Sequence, residues 1–197
     1  STYGSLIYKD YVPAEDEGLV TAVRTAGAII AGKTNTPEFT AGANTTNDVY
    51  GTTCNPFDTV LTCGGSSGGT AVALATGMLP LAMGSDIGGS VRIPATFCGI
   101  VGHRPTPGVV PYDRRAMAMT PLDLQGPLAR TVGDAALLLS AMAMPGGRDP
   151  MAFPHVPADF RNLEPVDLSS LRIAVSPDLG CAPVAKNIRS VFDTRMS

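Results

Sequence analysis

The sequence predicts an α/β fold, and three observations carry that prediction. Segments with helical spacing of apolar residues alternate with short apolar runs of strand length. Hydrophobic residues make up 44% of the 197-residue chain and charged ones only 16%, the balance expected of a buried sheet. Twenty-two glycines and 17 prolines cut the chain into short elements joined by tight turns. In chain order, a helix is expected over about Asp16–Thr25 and a strand over Ala28–Gly32. A short helix of small residues follows Ser67, turns at Gly77, and leads into a buried strand near Leu81–Ser85. An apolar strand over Gly99–Gly102 precedes a long loop from Pro105 to Pro127, punctuated by proline and glycine in the manner of an active-site rim. Thr131 then caps a helix whose apolar face is Val132, Ala135, Ala136, Leu138 and Leu139, running to about Met144. A proline-rich loop over 145–165 leads to RIAVS, read as a buried strand, and to a helix over Ala185–Thr194.

Composition excludes several classes of function. With 14 basic and 17 acidic residues the chain is mildly acidic and has no basic run, so it lacks the electrostatic footprint that phosphate contacts require, and no nucleic-acid partner is expected. No apolar run is long enough to span a bilayer, and no signal peptide is evident. Cys54, Cys63, Cys98 and Cys181 form no CxxC pair and have no histidine at ligand spacing, so neither zinc nor a disulfide framework is indicated. A reducing, cytoplasmic setting is the expectation.

Two glycine-serine segments carry the chemistry: GGSSGG at 64–69 and SDIGGSVR at 85–92. Ser90 directly follows Gly88 and Gly89, so nothing larger than hydrogen guards the backbone N–H groups beside its hydroxyl, which is how a chain builds an oxyanion hole. Ser66 and Ser67 stand between glycine pairs, 24 residues before that segment's serine in the case of Ser66. A flexible linker is the alternative for GGSSGG alone, but a linker is not followed at once by a small-residue helix and a buried strand. Gly65, Ser67 and Gly69 also satisfy GxSxG, with Asp134 and His155 following in the order of an α/β-hydrolase triad. The segment NPFDTVLTCGG before it offers a proline and a turn where a nucleophile elbow needs a strand.

The stretch GGSSGGTAVALATGMLPLAMGSDIGGSVRIPATFCGIVGHRPT, Gly64–Thr106, resembles the central motif of the amidase signature family, GGSSGG(S/T) followed by GTDxGGSxRxPAxFCGxxGxKPT. TYGS at 2–5, AGAIIAGKTNTPEF at 26–39, NPFD at 55–58 and GPLARTVGDAALLL at 126–139 extend the likeness to most of the chain. The resemblance implies a mixed central β-sheet flanked by helices on both faces, of which residues 1–197 are a partial, central portion, because family members are more than twice as long. It implies an acyl-transfer mechanism in which Ser90 is the nucleophile and Ser66, held by a cis peptide bond, relays its proton to a lysine. The backbone N–H groups of Ile87, Gly88, Gly89 and Ser90 are the implied oxyanion hole, and Ser67, Asp86 and Arg92 support it. Thr96, Phe97 and Cys98 are expected to pack beneath the loop, and His103 is read as replacing the lysine of the GxKPT turn and as a surface or cap residue rather than a base.

The implied lysine falls upstream of Ser1, since it precedes TYGS in the family; Lys9 follows TYGS and reads as an exposed charge, and Lys33 as structural. The expected activity is hydrolysis of a carboxylic amide C–N bond in a small-molecule substrate, with no cofactor, no metal and no membrane. The isolated stretch is expected to be inactive and poorly soluble. A homodimer is left open, as are a catalytically silent scaffold of the same fold and an ammonia-supplying component of a tRNA amidotransferase. Val109, Met117, Met119 and Leu122 hint at an apolar or aromatic acyl pocket, although packing of their own loop is the better explanation of them.

Overall fold

The computed structural model describes residues 1–115, 119–144 and 148–196. They form two units, Ser1–Leu163 and Glu164–Ser197. The first is built on a three-stranded sheet of β3 (Leu81–Asp86), β5 (Leu124–Ala129) and β4 (Val101–Gly102), in the order β3-β5-β4 and antiparallel throughout. The mixed sheet implied by the resemblance is represented here by these three strands. A small hairpin of β1 (Thr46–Asn47) and β2 (Gly51–Thr52) stands apart from them.

Period-two alternation on β3 places helices on both faces of the sheet. Leu81 and Met83 join Leu19 and Val23 of α1 (Gly18–Thr25) and Leu138, Leu139 and Met142 of α4 (Val132–Met142) in one core. Ala82 points the other way, with Leu128 of β5, into a second core made by Leu74 of α2 (Gly68–Ala75), Val91, and Ala95 of α3 (Arg92–Phe97). Helix α4 begins where Thr131 Oγ1 accepts from Asp134 N at 3.1 Å while donating to the Asp134 carboxylate at 2.7 Å, a reciprocal cap. Helix α2 must be small because it is enclosed. A Cβ at Gly68 would overlap Thr45 Oγ1, and one at Gly69 the backbone of Asn35, whose carbonyl accepts from Gly69 N at 3.2 Å.

Four sequence expectations need correction. Ala28–Gly32 forms no strand: Ile29 is 94% exposed, Ala28 N donates to the Val23 carbonyl at the end of α1 at 3.0 Å, and no described strand pairs with the segment. RIAVS at 172–176 is likewise irregular, with Ile173 and Val175 exposed. An apolar run has strand propensity, but a strand exists only when a ladder satisfies its backbone. Conversely, β5 lies partly inside the stretch expected to be loop and is the central strand of the sheet. Its Gly-Pro pair reads as punctuation in the sequence; in the structure Gly126 leaves room for the His103 carbonyl, and Pro127 contributes its carbonyl to His103 N at 3.0 Å. Finally, the first helix starts at Gly18 and the fourth ends at Met142, each two residues inside the expected bounds.

The second unit holds α5 (Lys186–Met196), close to the expected helix, with Arg189 and Asp193 paired one turn apart at 3.1 Å. None of its described residues is buried. Among the described residues no helix is long and apolar enough to cross a membrane.

Candidate active site

The two glycine-serine segments meet. Ser67, at the N-cap of α2, donates its backbone N–H to the Ser90 carbonyl at 3.2 Å, so the start of the helix is tied directly to the loop that follows β3. The Gly65–Ser66 peptide is cis. Ser66 and Ser90 both line an open cleft of about 1210 Å³, together with Gly65, Ile87 and Gly88. Ser66 is buried to the edge of that cleft and Ser90 half-buried; neither hydroxyl has a hydrogen-bond partner among the described residues. Gly89 adopts φ +115°, a conformation that glycine alone adopts readily, and this lets the chain fold back over Asp86.

Asp86 organises the loop. It has no exposed surface, and its Oδ1 accepts from Gly89 N at 2.9 Å, Arg92 Nη2 at 3.0 Å and Arg104 Nη1 at 3.1 Å. Oδ2 accepts from Val91 N at 3.2 Å and Arg92 Nε at 3.1 Å. Burial by itself would push the carboxyl pKa up; the Arg92 hydrogen bonds and the N–H groups of Gly89 and Val91 outweigh it and hold the group below its usual value. Arg104 also donates to the carbonyls of Asp86 at 2.6 Å, Leu122 at 3.0 Å and Pro121 at 3.0 Å, binding the end of β3 to the segment entering β5. The consequence is a loop held from behind by one carboxylate, with the N–H groups of Gly89 and Val91 turned inward to Asp86 and away from the cleft.

The family described as Amidase matches residues 1–196. The chain belongs to the amidase family. Over 89% of its length it is 41% identical to a glutamyl-tRNA(Gln) amidotransferase component of Syntrophobacter fumaroxidans, and over 97% it is 40% identical to an acylamidase of Rhodococcus erythropolis. It covers 36% and 40% of those relatives, so it spans well under half of their length. Among solved structures, 6-aminohexanoate cyclic dimer hydrolase with its substrate aligns at a TM-score of 0.73 and 34% identity, over 79% of this chain and 33% of that one.

Of the residues singled out in the sequence of this amidase-family chain, Ser66, Ser90, Ile87 and Gly88 come together on the cleft, while Gly89, Ser67, Asp86 and Arg92 lie directly behind it. Ser67 engages through its backbone, and its hydroxyl has no partner among the described residues. Cys98 is buried with Cys63, and burial pushes its thiol up to about 11; Thr96 and Phe97 are exposed and do not pack beneath the loop. No nucleophile elbow forms at Ser67. No strand runs into it, Asp134 is tied to Thr131, and the His155 ring nitrogens face the carbonyls of Phe153 and Ala143 at 2.8 and 2.7 Å. Val109 belongs to the core, Met119 and Leu122 are exposed away from the cleft, and Met117 lies outside the described residues.

Two features of the site are absent from the sequence reading. The basic position of the GxKPT turn is Arg104, one residue beyond His103, and the motif's own spacing, Gly102-His103-Arg104-Pro105, is the signal that marks it. The wall of Glu17, Tyr112, Asp123 and Gln125 is hidden because the sequence of β5 reads as loop, so the shared face of Asp123 and Gln125 has no periodicity to reveal it.

Proposed function

We propose that the protein is an amidase that cleaves carboxylic amides through an acyl-Ser90 intermediate. The observation that carries this reading is the junction of Ser66 and Ser90 on one cleft, tied together by Ser67 N and the Ser90 carbonyl. Ser90 Oγ attacks the amide carbon as its proton passes to Ser66 Oγ, whose own proton passes to a base. The oxygen of the tetrahedral intermediate sits against the N–H groups of Ile87, Gly88 and Ser90; Gly89, expected from the sequence to join them, gives its N–H to Asp86 at 2.9 Å instead. Its collapse breaks the C–N bond, the amine leaves with a proton, and water then hydrolyses the ester. Ser67, Asp86 and Arg92 hold this geometry without touching substrate.

The base is proposed to be a lysine preceding Ser1 in the full-length protein, of which residues 1–197 are a central portion. Lys9 is exposed, and Lys33, although on the cleft, donates to Ser1 Oγ at 3.0 Å. Lys33→Met is therefore expected to leave turnover within about threefold, whereas losing the triad base costs several orders of magnitude. Release of ammonia from simple amides, lost in Ser90→Ala and Ser66→Ala, tests the reading. A second reading, an ammonia-supplying component of a tRNA amidotransferase, is favoured by the 41% identity to the Syntrophobacter fumaroxidans protein, and glutamine-dependent ammonia release that needs partner chains distinguishes it.

A further inference from the structure

The segment that carries Ser66 is held from behind by side chains that the mechanism above does not use. Gly64 has both of its backbone groups engaged there. Its N–H donates to Thr62 Oγ1 at 3.1 Å, and that hydroxyl donates in turn to Asn44 Oδ1 at 2.7 Å. Its carbonyl accepts from Thr45 Oγ1 at 2.9 Å, and Thr45 is only 1% exposed. The other donor to that carbonyl is the Cys63 thiol, a weak one, at 3.4 Å. A Cβ at Gly65 would stand 2.9 Å from the Ala43 carbonyl carbon and from Asn44 N, and one at Gly68 would overlap Thr45 Oγ1. The stretch 43–45 is therefore a bed on which 64–68 lies without clearance.

The hairpin of β1 and β2 anchors this bed. Thr45 and Thr53 flank its open end, with Thr53 N donating to the Thr45 carbonyl at 2.9 Å. The Thr53 carbonyl accepts from Cys63 Sγ at 3.1 Å, and Thr53 Oγ1 accepts from Asn35 Nδ2 at 3.0 Å. Asn35 in turn accepts Gly69 N on its carbonyl at 3.2 Å, so both ends of GGSSGG are tied to one hairpin by groups that pair within residues 35–69. Serine has a single heavy-atom side-chain torsion, so the Ser66 hydroxyl goes where the backbone of 64–67 puts it. The front of that backbone is fixed by Ser67 N on the Ser90 carbonyl, and the back by Thr45 on the Gly64 carbonyl. A proton relay works only while its atoms stay within hydrogen-bond reach, and a misplacement of about 1 Å can cost about 100-fold in rate.

We propose that Thr45 is a positioning residue for Ser66: its hydroxyl, through the Gly64 carbonyl, sets where the Ser66 hydroxyl stands relative to Ser90. Thr45 does not line the cleft and acts without touching substrate. The inference rests on the amidase reading, which names the reaction that this placement serves. The test uses the full-length protein, hexanamide as the probe, and two variants. Thr45→Val keeps the shape and removes the hydroxyl, whereas Thr45→Ser keeps the hydroxyl and removes the methyl. Thr45→Val should lower kcat about 10- to 100-fold with KM within about threefold, and Thr45→Ser should keep kcat within about threefold of the parent. Amide exchange over 64–69 should be at least about tenfold faster in Thr45→Val and near parental in Thr45→Ser, with β5 unchanged in both. A parental kcat in Thr45→Val, a Thr45→Ser as slow as Thr45→Val, or exchange that rises in β5 as much as in 64–69 overturns the positioning role. If the parent releases no ammonia, the amidase reading fails on its own and exchange decides: acceleration confined to 64–69 in Thr45→Val supports the brace, and its absence refutes it. If Thr45→Val does not fold, Thr45→Ala takes its place; it differs from Thr45→Ser only in the hydroxyl, and equal kcat and exchange in that pair refute the proposal.

Discussion

Replacing Asp86 by Asn isolates the charge that holds the loop after β3. The five donors divide unevenly: Gly89 N, Arg92 Nη2 and Arg104 Nη1 on Oδ1, and Val91 N and Arg92 Nε on Oδ2. An asparagine retains one acceptor oxygen, so its best placement keeps the three on Oδ1 and sets its NH₂ against the two on Oδ2. Hydrogen bonds to a charged group are worth about 1.5–3 kcal/mol each, which puts the loss near 3–6 kcal/mol. Arg92 is 51% exposed and water re-solvates its freed guanidinium, so the lower end, about 3 kcal/mol, is expected. In urea, where m is about 1–3 kcal/mol/M, the midpoint should fall by roughly 1–3 M at unchanged m. The pH dependence follows from the lowered carboxyl pKa. The stabilisation is complete above the unfolded value, near 3.8, and is lost as pH falls through the lower folded value, so the parent should weaken in strong acid while Asp86→Asn loses that acid limb. Arg92→Met, removing a partner half in water, should cost only about 1 kcal/mol. A midpoint for Asp86→Asn within about 0.3 M of the parent would show that the clasp does not hold the loop.

Other expectations can be checked with standard measurements. Leu128→Ala empties a fully buried position between α2 and the sheet and should destabilise by about 2–5 kcal/mol in urea titration; a cost under about 1 kcal/mol would mean the second core is loosely packed. Cys181 is exposed, and Cys63 and Cys98 are buried with raised thiol pKa values, so iodoacetamide at pH 8 should label Cys181 first and reach the buried pair only on unfolding. Amides of 164–196 should exchange with solvent well before those of β3, β5 and α4, because no described residue of that unit is buried.

What the sequence makes legible follows from which interactions are local. Thr131 and Asp134 cap α4 within four residues, and the GGSSGG glycines announce a crowded backbone, so both are readable without tertiary information. The meeting of Ser66 and Ser90 on one cleft is readable for the same reason: a crowded junction needs small neighbours, and small neighbours leave a mark in sequence. Ala28–Gly32 and RIAVS look like strands because propensity is local, yet a strand requires a partner that propensity does not supply. In β5 the opposite holds. Gly126 and Pro127 are turn residues by habit, and only the approach of the His103 carbonyl makes them suitable for a central strand. Asp123 and Gln125 are silent as cleft-lining residues in the sequence as a consequence, since only the fold brings them to that wall. Arg104 is within reach of the motif, one position beyond the histidine that draws the eye.

The central claim, that Ser90 is the nucleophile, is tested most directly by treating the folded full-length protein with a serine-reactive fluorophosphonate and mapping the adduct by peptide mass spectrometry. A single adduct on Ser90, absent from Ser90→Ala, is the predicted result. An adduct on Ser67, or none on a demonstrably folded protein, would contradict it.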